Sequence, residues 1–216
     1  ATHFPMYIMP PALKAIKNVS VIDNNTIQIK WVPSVNTNLN NYKLYRTNVQ
    51  SAKQDIFYIN SNSYIDKDVV TSLNNYIYHV TETDKCGNQS LPGYEGKSIL
   101  NEVLPNEYQS MINWNTYKLW KSGVSKYHIQ LEKEGIFKTI HTSTALDSLF
   151  NHDQTLENIH AAYCYRIMAV SNDEKDTSLS NISCVISPSK LFSPNAFSPN
   201  RDGINDKIGV KSLFVL

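Results

Sequence analysis

At 216 residues the chain is longer than one small domain requires, and it predicts more than one. Twenty Lys and Arg against 19 Asp and Glu leave a formal net charge of +1, which excludes the basic field of a nucleic-acid binder and the acidic field of a cation store. No apolar run approaches the roughly 20 residues that cross a bilayer as a helix, so no membrane-spanning segment is expected.

Ala1 to Pro11 lacks the basic start and apolar centre of a secretory signal peptide and reads as an N-terminal linker, 1–11. Export would then depend on signals outside the chain, or the chain is a processed piece. From Val19 to Trp31 the pattern is strand-like: Val19, Val21, Ile27, Ile29 and Trp31 share a parity, with Gln28 and Lys30 between them. Short strands follow at Tyr42-Lys43-Leu44-Tyr45, Ile56 to Ile59, Ser63-Tyr64-Ile65 and Tyr76 to Val80. Glycine is scarce, and Asn24-Asn25, Asn40-Asn41 and Asn74-Asn75 separate the apolar stretches, since asparagine tolerates turn backbone. The best helical stretch, Ser143 to Asn158, is short and irregular in its apolar spacing. Short strands at this spacing predict sandwiches or a barrel.

The second half repeats the first. Ile112-Asn113-Trp114 matches Ile29-Lys30-Trp31, Tyr127-His128-Ile129 matches Tyr42-Lys43-Leu44, and Tyr163 to Ile167 matches Tyr76 to Val80. A period of about 85 to 90 residues is that of tandem domains, because solenoid units are shorter. An early strand ending in Trp, a strand with Tyr-x-Leu or its like, and a late Tyr-x-Tyr resemble the fibronectin type III module over roughly 12–188. The resemblance implies an all-β chain of two fibronectin type III/Ig-like sandwiches, 12–99 and 100–188, with Trp31 and Trp114 as core tryptophans. It also implies a tyrosine corner in each module, at Tyr76 or Tyr78 and at Tyr163 or Tyr165. Both members of each pair face one way, so parity does not choose between them. Cys164 and Cys184 fall on strands that would be neighbours, and pairing in register would let them bridge; Cys86 is left over in a turn.

Ser193 to Asp206 carries two prolines, an aromatic anchor at Phe197 and a tight turn at Asn200-Arg201-Asp202-Gly203. Ile208, Val210 and Leu213 then begin a strand. Pro194, Asn195, Phe197, Pro199, Asn200, Asp202, Gly203, Asn205 and Asp206 resemble the opening of the gliding-motility-associated C-terminal domain, the type B sorting signal of type IX secretion in Bacteroidetes. Arg201 departs from the usual Gly of that family. The resemblance makes 189–216 the start of a sorting domain that continues beyond the chain. It implies a secreted or cell-surface cargo, an adhesin or gliding-associated protein, with the outer-membrane translocon and its cargo-binding barrel or shuttle protein as partners. Accessory modules of a secreted hydrolase, and a glycan- or protein-binding module pair, are the alternatives.

Catalytic and cofactor signatures are absent: there is no nucleophile elbow, P-loop, dinucleotide fingerprint or His-Glu-x-x-His, so no enzyme and no cofactor is expected. The six histidines are scattered, with His141, His152 and His160 at no metal spacing, and are read as surface or loop residues. Asp66 and Asp68 read as structural turn acids. Asn200, Asp202, Asn205 and Asp206 resemble part of a calcium loop, but they lack its distal Glu and are explained equally by Asx turns. Asp147-Ser148-Leu149 resembles an O-glycosylation acceptor. Tyr7, Tyr58, Tyr94, Tyr108, Tyr117 and Trp120 are not all needed for two cores; they are read first as tyrosines that populate half-buried strands, with a sugar- or protein-binding face as the rival reading.

Overall fold

The computed structural model describes residues 15–106, 109–154, 162–186, 190–192 and 211–213, and over these it is all-β. Module 1 contains β1 (Ile16–Asp23), β2 (Thr26–Trp31), β3 (Leu39–Asn48), β4 (Gln54–Ile59), β5 (Ser63–Asp66), β6 (Tyr76–Asp84) and β7 (Gly96–Lys97). They form an antiparallel three-stranded sheet, β1-β2-β5, facing a four-stranded one, β4-β3-β6-β7. The alternating run from Val19 to Trp31 is a hairpin rather than one strand. β1 and β2 pair from Val19↔Ile29 to Asp23↔Thr26 around Asn24-Asn25, whose backbone is tied back to the Asp23 carboxylate. Val19, Val21, Ile27, Ile29 and Trp31 all point inward because the period of two puts them on one face. Tyr42, Leu44, Tyr76, Tyr78 and Val80 answer from the opposite sheet.

Module 2 repeats this plan with β8 (Asn101–Asn106), β9 (Gln109–Trp114), β10 (Val124–Lys133), β11 (Ile136–Thr144), β12 (Leu149–Asp153), β13 (Ala162–Ser171), β14 (Thr177–Leu179) and β15 (Ser183–Ile186). Its sheets are β12-β9-β8 and β11-β10-β13, with β14 and β15 sharing the far edge of β13. Trp31 and Trp114 sit in the two cores, each edge-on to the next strand's tyrosine, Tyr42 at 5.4 Å and Tyr127 at 5.6 Å. Those tyrosine hydroxyls repeat a further contact: Tyr42 accepts from the Ser34 amide at 2.7 Å and Tyr127 from the Tyr117 amide at 2.8 Å. Each thereby fixes the loop entering its strand.

The Ser143 to Asn158 stretch is not helical where it is described. It holds the end of β11, a turn in which Asp147 accepts from the Thr144 amide and hydroxyl, and β12. Ladder bonds to β9 outweigh its helix-compatible composition. Beyond the sandwiches, β16 (Lys190–Phe192) pairs antiparallel with β17 (Lys211–Leu213). The sequence pattern predicts a strand at the chain's end, but not its partner just before the sorting-like motif.

Cys164 and Cys184 oppose each other in the β13–β15 ladder and are joined by a disulfide. A closure of about this length removes roughly 3 kcal/mol of unfolded-chain entropy. Reduction, or Cys164→Ser with Cys184→Ser, is therefore expected to lower the stability of module 2 by about that amount in urea titration. An unchanged midpoint would show that the bridge is dispensable.

Candidate functional site at the module junction

The two cores differ at one equivalent position. In module 1, Arg46 on β3 is buried opposite Tyr78 on β6. Its Nη1 donates to both oxygens of Asp66, at 2.8 and 3.0 Å, and to the Asp68 carbonyl at 2.7 Å. Its Nη2 donates to Asp55 at 2.6 Å, and the Tyr78 hydroxyl donates to Asp66 at 2.8 Å. Burial works against the guanidinium charge, but Asp55, Asp66 and Asp68 outweigh it and raise its pKa. Burial, helped by the charge of Asp66, pushes the Tyr78 hydroxyl up and keeps it a donor. Asp66 and Asp68 are thus structural, as expected, but Asp66 is fully buried in a strand rather than lying in a turn. In module 2 the ladder register puts Leu131 where Arg46 stands and His152 where Asp66 stands. There the Tyr165 hydroxyl donates to Ser110 Oγ at 2.8 Å and lies 2.9 Å from His152 Nδ1. One module buries an arginine–aspartate ion pair at this place, and the other a histidine–tyrosine–serine hydrogen-bond network. His152 corrects the expectation of surface histidines: it is buried on β12, because strand parity turns it inward.

The modules meet along the outer edge of β1. Tyr117 and Leu119, on the β9–β10 loop of module 2, are buried against module 1. The Val19 amide donates to the Tyr117 hydroxyl at 3.0 Å, and that hydroxyl and Ser178 Oγ reach the Val19 carbonyl at 3.3 and 2.6 Å. The Leu179 amide donates to Ser20 Oγ at 3.0 Å, Trp120 Nε1 to the Lys17 carbonyl at 3.1 Å, and the Ile182 amide to Asn24 Oδ1 at 3.2 Å. Burial pushes the Tyr117 hydroxyl up in pKa, so it stays protonated and bonds both groups of one residue. Asn115 secures the connection itself, accepting from the Leu100 amide at 2.7 Å and donating to the Ser98 carbonyl at 3.2 Å.

Gly96 marks how closely the parts approach. A Cβ there would stand 2.6 Å from Val19 Cγ2, 3.1 Å from Leu119 Cδ1 and 3.2 Å from Ile16 Cγ2. Val19 is branched at Cβ and cannot swing clear. Gly96→Ala is expected to cost about 1–3 kcal/mol through overpacking, read in urea denaturation. A variant as stable as the parent would show that Val19 and Leu119 yield freely.

Two of the aromatics surplus to the cores find their place here. Tyr117 is a buried junction residue and Trp120 is half-buried beside it, ring centroids 4.6 Å apart, so neither belongs to an exposed aromatic face. Their signal is readable by aligning the repeats: module 1 has polar Ser34 where module 2 has Tyr117. Tyr58 and Tyr94 are exposed. Tyr7, Tyr108, His160 and all of Pro194 to Asp206, with the calcium-like Asn200, Asp202, Asn205 and Asp206, lie outside the described residues. The Tyr76 hydroxyl accepts from the Val70 amide at 2.9 Å, which makes Tyr76 the corner of module 1 and leaves Tyr78 to Asp66. Cys86 is an exposed free thiol, His141 is exposed and stacks on Phe150 at 4.2 Å, and Ser148 lies in the exposed turn before β12. Among the described residues no three His, Cys, Asp or Glu side chains gather into a metal-binding group, and no helix is long and apolar enough to cross a membrane.

No family model and no curated protein matches the chain. Among solved structures it is similar to a two-domain fibronectin type III segment of chicken tenascin, at 16% identity and TM-score 0.35, covering 83% of this chain and 100% of that one. It is also similar to the FN1–FN3 domains of chicken CNTN1, at 13% identity and TM-score 0.34, covering 87% and 71%. A pectate lyase, Pel3 of Pectobacterium carotovorum, matches at 20% identity and TM-score 0.35 over 47% of this chain, which spans only 28% of the lyase. The assignment of two sandwiches rests on this chain's own strand order rather than on these likenesses.

Proposed function

We propose that this chain is the stalk and export-signal portion of a secreted or cell-surface cargo of the type IX secretion system, an adhesin or gliding-associated protein. The observation that carries the reading is the motif from Pro194 to Asp206, which resembles the opening of the type B sorting domain and follows two sandwiches. The disulfide Cys164–Cys184 suits an oxidising, extracytoplasmic setting. The hydrogen-bonded junction suits a spacer, because it holds two modules at a set angle without an intervening flexible linker. In this reading the chain does no chemistry of its own. The outer-membrane translocon and its cargo-binding barrel or shuttle protein read the terminal motif.

The test is the intact mass of the native protein from its source cells, with identification of what co-purifies. A mass well above 24.6 kDa together with an outer-membrane barrel is the expected result. A mass near 24.6 kDa with no envelope partner would overturn the assignment.

A further inference from the structure

The outer face of the β1-β2-β5 sheet meets the β13–β14 connection of module 2 in an open trough of about 360 Å³. Its floor carries Asn18 on β1 and Gln28 and Lys30 on β2, Asn18 and Lys30 being direct cross-strand partners. Lys17 stands beside them, and Lys175 and Asp176 come from module 2. Among the described residues that line it, three ammonium groups therefore meet a single carboxylate, and Asp176 is already taken by Lys17 at 3.7 Å. Neither Lys30 nor Lys175 forms a salt bridge among the described residues. Of the neighbouring acids, Glu174 pairs with Lys126 at 2.7 Å, whereas Asp173 accepts from the Ser171 hydroxyl at 2.6 Å and the Lys175 amide at 3.4 Å and offsets part of the Lys175 charge.

Charges of one sign in a concave site concentrate the field and attract an opposite ligand. Asn18 donates an amide hydrogen to the Thr177 carbonyl, and its side-chain oxygen remains available as an acceptor. Gln28 offers both a donor and an acceptor. We propose that this trough binds an acidic oligosaccharide, its carboxylate or sulfate groups on Lys30 and Lys175 and its ring hydroxyls on Asn18 and Gln28. A floor of amide and ammonium groups matches a ligand whose surface is closely spaced hydroxyl and anion. An acidic peptide would also bring apolar side chains, for which the described lining residues offer only Leu179. Because the walls belong to different modules, the fixed junction is what forms the site. The inference goes beyond the stalk reading and does not need it.

Isothermal titration of the two-module chain at low salt, with an alginate hexasaccharide as uronate probe and a carrageenan hexasaccharide as sulfated probe, tests this. At least one is expected to bind, a neutral maltohexaose to give no heat, and Lys30→Gln with Lys175→Gln to weaken binding about tenfold, as the loss of two exposed charge contacts would. Lys85→Gln with Lys138→Gln, changing exposed lysines outside the trough, is expected to leave it unchanged. Unfolding midpoints of both variants check that each remains folded. No binding of either probe, or equal loss in the control variant, would overturn the site. Poly-glutamate binding as tightly with the same lysine dependence would overturn the saccharide assignment in favour of an acidic peptide. None of these outcomes bears on the native mass or the envelope partner, so the two readings fail separately.

Discussion

Arg46→Leu is expected to cost module 1 about 3–5 kcal/mol, because it removes one partner of a buried pair and leaves the Asp66 carboxyl group held by just the Tyr78 hydroxyl and the Asp68 amide among the described residues. The side chains of Arg46 and Asp66 are 5% and 1% exposed, so water cannot replace the lost partner. Module 2 shows the remedy at the same place: with Leu131 in the arginine's position, a hydrogen-bonded His152–Tyr165–Ser110 set serves in place of the carboxylate. The double variant Arg46→Leu with Asp66→Asn is therefore expected to lie closer to the parent than Arg46→Leu alone, since a buried pair replaced as a whole costs less than a pair broken. Urea titrations of the three proteins decide it. A double variant less stable than the single would mean that the asparagine finds no partners and that the carboxylate is needed for more than pairing.

Tyr117→Ala is expected to cost about 3–5 kcal/mol, the range for truncating a buried aromatic, with the loss falling on module 1 although the residue belongs to module 2. The ring would vacate its place beside Trp120, and the amide and carbonyl of Val19 would lose the hydroxyl that bonds both. Calorimetry of the parent should show one coupled transition, and of the variant two, with module 1 melting first. A variant in which only module 2 melts earlier would confine Tyr117 to packing within its own domain.

The strands are legible because alternation over β2, β3, β6, β9, β10 and β13 is set by burial on one face, which is a local property of the chain. Which tyrosine makes the corner is not legible, since Tyr76 and Tyr78 share a parity and are separated only by where their hydroxyls end: at Val70 six residues back, or at Asp66 across the sandwich. The junction escapes a reading by periodicity for a related reason, although aligning the repeats sets Tyr117 against Ser34. Tyr117, Leu119 and Trp120 sit in a loop, where periodicity says nothing, and their partners Val19, Gly96 and Lys17 lie far away in sequence. His152 escapes notice when weighed among the histidines rather than as the repeat of Asp66. The export motif and the calcium-like residues are legible only as a pattern of types, and their geometry lies outside the described residues.

The bonds to Val19 have a further consequence for solubility. β1 ends its sheet, and an end strand with free amides and carbonyls is a template for intermolecular pairing and aggregation. Module 2 blunts its own end strand: Asn181 accepts from the Asn101 amide at 2.7 Å and Ser183 from the Val103 amide at 3.2 Å. Module 1 relies on its neighbour, through the Tyr117 and Ser178 hydroxyls on the Val19 backbone, for the same protection. Cut free at the connection, module 1 would carry the Val19 edge of β1 bare into solution, whereas module 2 would keep its guard. The pair is in this sense one unit of assembly, in which the later-synthesised domain shields the earlier one.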